Sequence, residues 1–213
     1  SSVAIFSSRP SKHSGAFEYN LDMSDNTEKT LMSIEQYFSI LGKVLEESEI
    51  KSLESTDITR MALCPRGLSE SDGGTPGGLV AFSLEVALKG KSMASFYDVD
   101  PKSIVKVSLL HELGRMGHLT DDKKSLYLDQ NSSWHQEKLG QFYKYNDGCP
   151  RMNIGHRSLW MLNDIGVSLN YDEWVSIAVS QGLHLQENAF YGNSKLPKLA
   201  LLLQSARNIV LNS

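Results

Sequence analysis

The chain has 213 residues, of which 40% are hydrophobic and 22% are charged, a composition typical of one globular domain with a real core. A formal net charge of -4 argues against general attraction to nucleic acids or anionic membranes, and no apolar run approaches the roughly 20 residues of a membrane span. The two cysteines, Cys64 and Cys149, lie far apart without metal-ligand spacing, which favours a reducing, intracellular setting.

Residues 1–26 are predicted to form a polar N-terminal arm, and residues 27–213 a single domain. The arm is rich in serine and lacks the positive start and apolar block of a signal peptide. Free termini of this composition are usually disordered, so an ordered arm would have to pack against something. Its own domain is one such surface, and a protein partner or a larger assembly is the other.

The domain is predicted to be all-α. Apolar residues recur at three- and four-residue intervals from Thr27 to about Ser48, which predicts one amphipathic helix. Residues 64–78, rich in glycine and proline, predict a long loop. No internal repeat and no convincing sheet is found. Further helices are predicted over 79–88, from Pro101 to near Gly114–Gly117, over 156–163, over 172–180 and from 195 to about 210, with a tryptophan-led segment at 134–145.

The most informative feature is the doublet His111-Glu112, which lies inside an apolar helical run. It begins like the zinc-protease helix signature His-Glu-x-x-His, but Arg115 stands where the second histidine ligand would lie one turn on. A cation at that position would repel zinc. The sequence therefore predicts no site of the zinc-protease kind.

Several short segments occur in an order and spacing that resemble one family. They are Gly77-Gly-Leu-Val-Ala-Phe-Ser-Leu84, Leu109-Leu-His-Glu-Leu-Gly-Arg115, Trp134 with Tyr143-Lys-Tyr145, Gly155-His-Arg-Ser158, Ile177-Ala-Val-Ser-Gln-Gly182 and Leu202-Leu-Gln-Ser-Ala-Arg207. Over roughly residues 45–210 the chain resembles the HD-domain superfamily of metal-dependent phosphohydrolases. The resemblance implies an HD-like helical bundle in which histidines and carboxylates bind one or two divalent metals.

The same resemblance implies that most of the metal ligands are lost. Phe82 and Ser180 stand at positions of family histidines, Glu112 at that of the doublet's aspartate, and Arg207 at that of the closing aspartate. Phe82 offers no lone pair, and Arg207 would bring a permanent positive charge. We therefore predict a vestigial site with no catalytic residue, no bound metal and no cofactor. Its members are Phe82, His111, Glu112, His156, Ser180 and Arg207.

Two arrangements of the charges remain open. Arg207 and Glu112 are predicted to form a buried ion pair that replaces the metal, because buried charges are tolerated when they are paired and hydrogen-bonded. In an open site, the same charges would instead be a remnant phosphate-binding site.

The function predicted from these features is that of an inactive HD-like domain. It would act as a structural or interaction subunit of a larger assembly, such as a viral particle, inside the cell or in a particle assembled there. One alternative is an active phosphohydrolase or nucleotidase, with Mn, Mg, Fe or Zn held by His111, Glu112 and His156 and with help from Asp121 or Asp122. A second alternative is a phosphate or nucleotide sensor without turnover, with anion contacts from Arg207, Arg115 or Arg157.

Overall fold

The computed structural model of the chain describes residues 23–213, with side chains from Lys29 onward. This part is mostly helical, which confirms the predicted all-α class, and no helix in it is long and apolar enough to cross a membrane. Residues 1–22 of the predicted arm, with the expected partner contacts, lie outside the described residues. The helices are α1 (Met23–Leu41), α2 (Glu47–Glu54), α3 (Ile58–Leu63), α4 (Gly78–Tyr97), α5 (Pro101–Leu110), α6 (Ser133–Leu139), α7 (Ile154–Asp164), α8 (Tyr171–Ala178), α9 (Ala189–Gly192) and α10 (Lys198–Leu211).

The prediction of one helix over residues 27–48 is wrong. Helix α1 begins earlier, at Met23, and ends at Leu41, before Gly42; α2 then starts at Glu47. The backbone N–H of Glu46 donates to the Glu49 carboxylate at 2.9 Å, an interaction typical of a helix start. The apolar spacing continues across the break because Leu45, on the connecting segment, is buried as well.

Helix α4 lies at the centre of the bundle, where it packs against α5 and α10 and also contacts α1 and α3. Its buried residues cover most of its circumference, and its exposed residues, such as Ala81, Glu85, Leu88 and Ser92, lie on one face. Gly90 lets α5 approach closely, because a Cβ at this position would lie 2.6 Å from Ile104 Cγ1. The close α4–α5 contact places Phe82 beside His111, with ring centroids 6.2 Å apart.

The doublet lies at a helix end and not within a helix that continues towards Gly117. Helix α5 stops at Leu110, His111 is its C-cap, and a tight 3₁₀ turn follows over Leu113–Met116. The Ser158 hydroxyl of α7 accepts the Gly114 N–H at 2.8 Å and donates to the His111 carbonyl oxygen at 2.8 Å. These bonds direct the chain after α5 across α7 and keep Glu112 fully buried.

A small antiparallel sheet was not predicted. Strands β1 (Tyr127–Asp129) and β2 (Tyr143–Tyr145) pair with Tyr127 opposite Tyr145, and the two rings stack at 5.8 Å. Strands of three residues are too short to show the alternation by which strands are identified in sequences. The sheet matters here because it fixes the phenol of Tyr127 next to Arg115.

Candidate functional site

A single buried carboxylate, Glu112, lies among three arginine side chains. Arg207 Nη1 donates to Oε1 at 2.9 Å, Arg115 Nε donates to Oε2, and Arg66 Nε lies 3.4 Å from Oε2. The exposed fractions are 0% for the Glu112 side chain, 7% for Arg207, 13% for Arg115 and 14% for Arg66. The ion pair expected between Arg207 and Glu112 is therefore present and buried. Glu112 with its three arginines is called the ionic cluster below.

The charges of the ionic cluster do not balance. Three guanidinium groups against one carboxylate leave a formal surplus of two positive charges. One further acid, Asp72, acts on Arg66, but Asp72 is exposed, and Arg66 donates to its backbone carbonyl oxygen and not to its carboxylate. Within the described residues, the buried positive charge is thus only partly compensated.

The pKa values reflect this imbalance. Burial alone would raise the pKa of Glu112, but Arg115 and Arg207 outweigh burial and hold that pKa well below its usual range. Burial opposes the charge of Arg115, yet the contact with Glu112 raises its pKa. Burial lowers the pKa of Arg207 to about 10, and the charges of Arg66 and Arg115 act in the same direction against Glu112. Glu112 and all three arginines are therefore ionised at neutral pH. Of Arg115 and Arg207, Arg207 has the less well compensated charge.

The ring of Phe82 supports two of the cations. The Arg66 guanidinium lies 4.0 Å from the ring centroid and that of Arg207 lies 5.5 Å from it. A cation over an aromatic face is attracted by the ring quadrupole, and more strongly when water is excluded. Phe82, at a position where the resemblance implies a metal-binding histidine, thus contacts arginines in place of a metal.

His111 is fully buried and neutral. Its Nδ1 lies 2.7 Å from the Ser108 carbonyl oxygen, which can only accept, so Nδ1 carries the proton and Nε2 keeps a lone pair. Burial, followed by the charge of Arg207, lowers the pKa of His111 to about 3. Nε2 lies 4.0 Å from Glu112 Oε1 and has no hydrogen-bond partner among residues 29–213. His111 therefore retains the lone pair that a metal ligand would use.

The metal implied by the resemblance does not fit these residues. A dication between His111 Nε2 and Glu112 would need a carboxylate oxygen, but each oxygen already accepts an arginine N–H. It would also approach the guanidinium of Arg207, which is held 2.9 Å from Oε1. In the part of the chain with described side chains, no group of three or more His, Cys, Asp or Glu residues is arranged to hold a metal ion.

Ser180 reaches the ionic cluster only through Gln181, whereas His156 makes no hydrogen bond or ion pair with it. Gln181 Nε2 donates to Glu112 Oε1 at 3.3 Å and lies 3.4 Å from the hydroxyl of Ser180. His156 is half-buried in the first turn of α7 and makes no hydrogen bond or ion pair with Glu112 among the described side chains. Of the predicted site residues, all but His156 are thus brought together.

The other candidate residues have local structural roles. Asp121 accepts the Lys123 N–H at 3.1 Å and pairs with Lys124 at 3.4 Å within its own loop, and neither Asp121 nor Asp122 contacts Glu112. Arg157 is buried and donates to the carbonyl oxygens of Gly114 and Pro150. These bonds tie α7 to the turn after α5 and to the segment before α7, and the alternative of an anion contact from Arg157 stays a prediction.

Sequence reasoning missed Arg66 and Tyr127. The Tyr127 hydroxyl accepts from Arg115 Nη1 at 2.9 Å and donates to the Arg66 carbonyl oxygen at 2.9 Å. Arg66 reaches Glu112 from the loop over residues 64–78, which folds back on itself through a bond from the Arg66 N–H to the Gly73 carbonyl oxygen at 2.9 Å. The glycines and prolines of this segment predicted a long loop, but no periodic pattern shows which loop side chain faces the doublet.

Two clefts reach the ionic cluster from outside, and Arg115 lines both. The larger has a volume of about 600 Å³ and the smaller about 310 Å³. Gln181, which bonds Glu112, also lines the larger cleft. Other polar residues of its lining are Tyr127, Tyr145, Asn146, Asp147, Arg151, Asn153 and Glu187.

Comparison with known proteins assigns no family to this arrangement. The chain matches no protein-family model, and no curated protein or solved structure is significantly similar to it. Functional inference therefore rests on the residues and contacts described above.

Proposed function

We propose that this chain is a catalytically inactive, HD-like helical domain that works as a structural or interaction subunit of a larger assembly. The observation that carries the proposal is the buried carboxylate of Glu112, whose two oxygens are occupied by arginine donors. The HD resemblance predicts that six positions meet. Contacts among Phe82, His111, Glu112 and Arg207, with Ser180 reached through Gln181, support that part of the proposal, whereas His156 adds no support.

Hydrolysis of a phosphate ester by this family type depends on a metal that polarises the ester and lowers the pKa of bound water. Glu112 would have to leave its arginine donors to bind such a metal. Those arginines would then be buried without their counter-ion, which typically costs about 3–5 kcal/mol for one broken buried pair. The ionic cluster therefore favours its own bonds over a metal.

The ionic cluster instead connects separate parts of the fold. Arg115 links Glu112 to the hydroxyl of Tyr127 on β1 and to the backbone carbonyl of Arg66 in the loop over 64–78. Arg207 brings in α10. A site that once would have bound a substrate thus holds α5, α10, β1 and a long loop together, which suits a structural or interaction role.

The test is metal content, measured by mass spectrometry on the full chain purified without chelator and then incubated with Mn²⁺. Wild type and His111→Ala are expected to retain equally little metal, and neither is expected to hydrolyse p-nitrophenyl phosphate. A matched variant restores the family's residues through Phe82→His, Glu112→Asp, Ser180→His and Arg207→Asp, and it shows whether the assay detects metal in this fold. Near-stoichiometric metal in wild type that is lost in His111→Ala would contradict the proposal and favour the phosphohydrolase alternative.

A further inference from the structure

The surplus positive charge of the ionic cluster needs a counter-charge. Glu112 offsets one of the three guanidinium charges, while Arg66 Nε is buried and has no hydrogen-bond partner among residues 29–213. Buried charges are costly unless they are paired, because the low-dielectric interior replaces their hydration poorly. An anion near these arginines would lower that cost.

The larger cleft gives such an anion a route to the ionic cluster. Arg115 and Gln181 both line the cleft and both bond Glu112, so they connect the cleft to the buried charges. Arg151 adds a second lining cation, with its guanidinium 5.6 Å from the ring centroid of Tyr145. Arginine donors in a fixed planar arrangement suit the oxygens of phosphate, sulfate or carboxylate groups.

The cleft also carries two acids, Asp147 and Glu187. Glu187 accepts a hydrogen bond from Asn153 Nδ2 at 3.0 Å, and this bond lowers the pKa of the Glu187 carboxyl. Repulsion by these carboxylates disfavours an anion next to Asp147 or Glu187, so Arg115 and Arg151 are the lining groups that would attract it. A volume of about 600 Å³ falls within the range of small-molecule sites, so the cleft has room for more than a bare ion.

We propose that this cleft is an oxyanion site in which Arg151 and the second N–H of Arg115 Nη2, whose first N–H goes to Glu112, bind a phosphate or sulfate group that the surplus charge of the ionic cluster attracts. The anion is bound without being cleaved. The site goes beyond the proposed structural role and does not depend on it, since it requires only the charges and the cleft.

The experiment is isothermal titration calorimetry of the full chain with inorganic phosphate, at an ionic strength held constant with sodium chloride. Saturable binding in the millimolar range or tighter is expected for wild type. Arg151→Ala should weaken it roughly threefold to fivefold, the size of an exposed ion pair. Lys144→Ala is the matched control, because it removes one positive charge from the neighbouring strand but not from the cleft lining, and it should leave the affinity unchanged.

Arg115→Gln should reduce the affinity by at least about tenfold, as expected for a lost hydrogen bond to a charged group. If this variant does not fold, the Arg151→Ala and Lys144→Ala pair still decides the question. Absence of saturable binding to wild type overturns the inference, and so does an equal loss in Arg151→Ala and Lys144→Ala, which would indicate diffuse charge attraction only. Glycerol phosphate titrated in parallel identifies the source of the group: tighter binding than inorganic phosphate indicates a phosphate carried by a larger molecule, and equal binding indicates the free ion.

The metal-content and phosphate-binding experiments test the two proposals separately. Phosphate binding with no retained metal supports both proposals. No phosphate binding with no retained metal overturns the oxyanion site alone, and stoichiometric metal overturns the inactive-domain proposal whatever the calorimetry shows.

Discussion

Glu112→Gln is expected to be among the most destabilising single substitutions in the chain. The amide keeps the size of the side chain but removes the one carboxylate that pairs with Arg66, Arg115 and Arg207 among the described side chains. Removing one partner of a buried ion pair costs about 3–5 kcal/mol, because the other charge stays buried without its counter-ion. For a chain of this length, ~2–4 °C per kcal/mol corresponds to a fall in Tm of roughly 6–20 °C.

Urea unfolding at pH 7, followed by circular dichroism, measures this change as a free energy of unfolding. Glu47→Gln is the matched control, since Glu47 pairs with Lys51 on an exposed helix face and its loss should leave the stability unchanged. A loss below about 1 kcal/mol for Glu112→Gln would refute the reasoning, since that is the range of surface ion pairs.

Because positive charge is in surplus, loss of one arginine and loss of Glu112 should differ in their cost to stability, which a simple one-to-one ion pair would not show. Arg207→Met removes one of three cations and leaves Glu112 with Arg115 and Arg66, so it should cost clearly less than Glu112→Gln. The double variant Glu112→Gln with Arg207→Met should be more stable than Glu112→Gln alone, because it reduces the number of uncompensated cations. Equal losses for the two single variants would contradict the surplus.

Two further outcomes follow from the same region. The pKa of His111 in the folded protein is lowered to about 3 from an ordinary 6.5, so the stability that depends on neutral His111 is complete above pH 6.5 and is lost as the pH falls towards 3. Between pH 6 and 5, the free energy of unfolding of wild type in urea should fall by about 1 kcal/mol more than that of His111→Leu. His156→Ala is the control, and equal losses in wild type and His111→Leu would contradict the buried neutral state. Gly114→Ala would place a Cβ 2.2 Å from the Ile154 carbonyl oxygen and should cost about 1–3 kcal/mol or more, whereas Gly192→Ala meets nothing within 4 Å and should be neutral in thermal melts.

The helical class and most helix positions could be predicted from sequence because they depend on local patterns. Apolar spacing located α4, α5, α7, α8 and α10, since each buries one face or is buried throughout. The same signal extended the first predicted helix beyond Leu41 to about Ser48, because Leu45 is buried although the chain is not helical there. Hydrophobic periodicity indicates which residues are buried. It therefore does not show that a helix ends near Gly42 when an apolar residue beyond that point is still buried.

The candidate site was predictable where its residues follow a motif and not where they arrive through the fold. Glu112 and Arg207 came from aligned short segments, and their ion pair is present. Arg66 lies 46 positions before Glu112 in the sequence and reaches it only because its loop folds back through Gly73. No rule of spacing could connect those two side chains, so the charge surplus became visible only in three dimensions.

The surplus of positive charge around Glu112 distinguishes a site that has only lost a metal from one that has gained a different role. A carboxylate left buried after loss of a metal would have a raised pKa, because burial disfavours its charged form, yet the pKa of Glu112 is lowered by Arg115 and Arg207. One arginine suffices to neutralise one carboxylate. The second and third guanidiniums bring desolvation that Glu112 cannot offset, and Phe82 offsets only part of it at about 2 kcal/mol for each desolvated cation–π contact. Packing alone therefore gives no reason for three cations at this point, whereas an anion entering along Arg115 does.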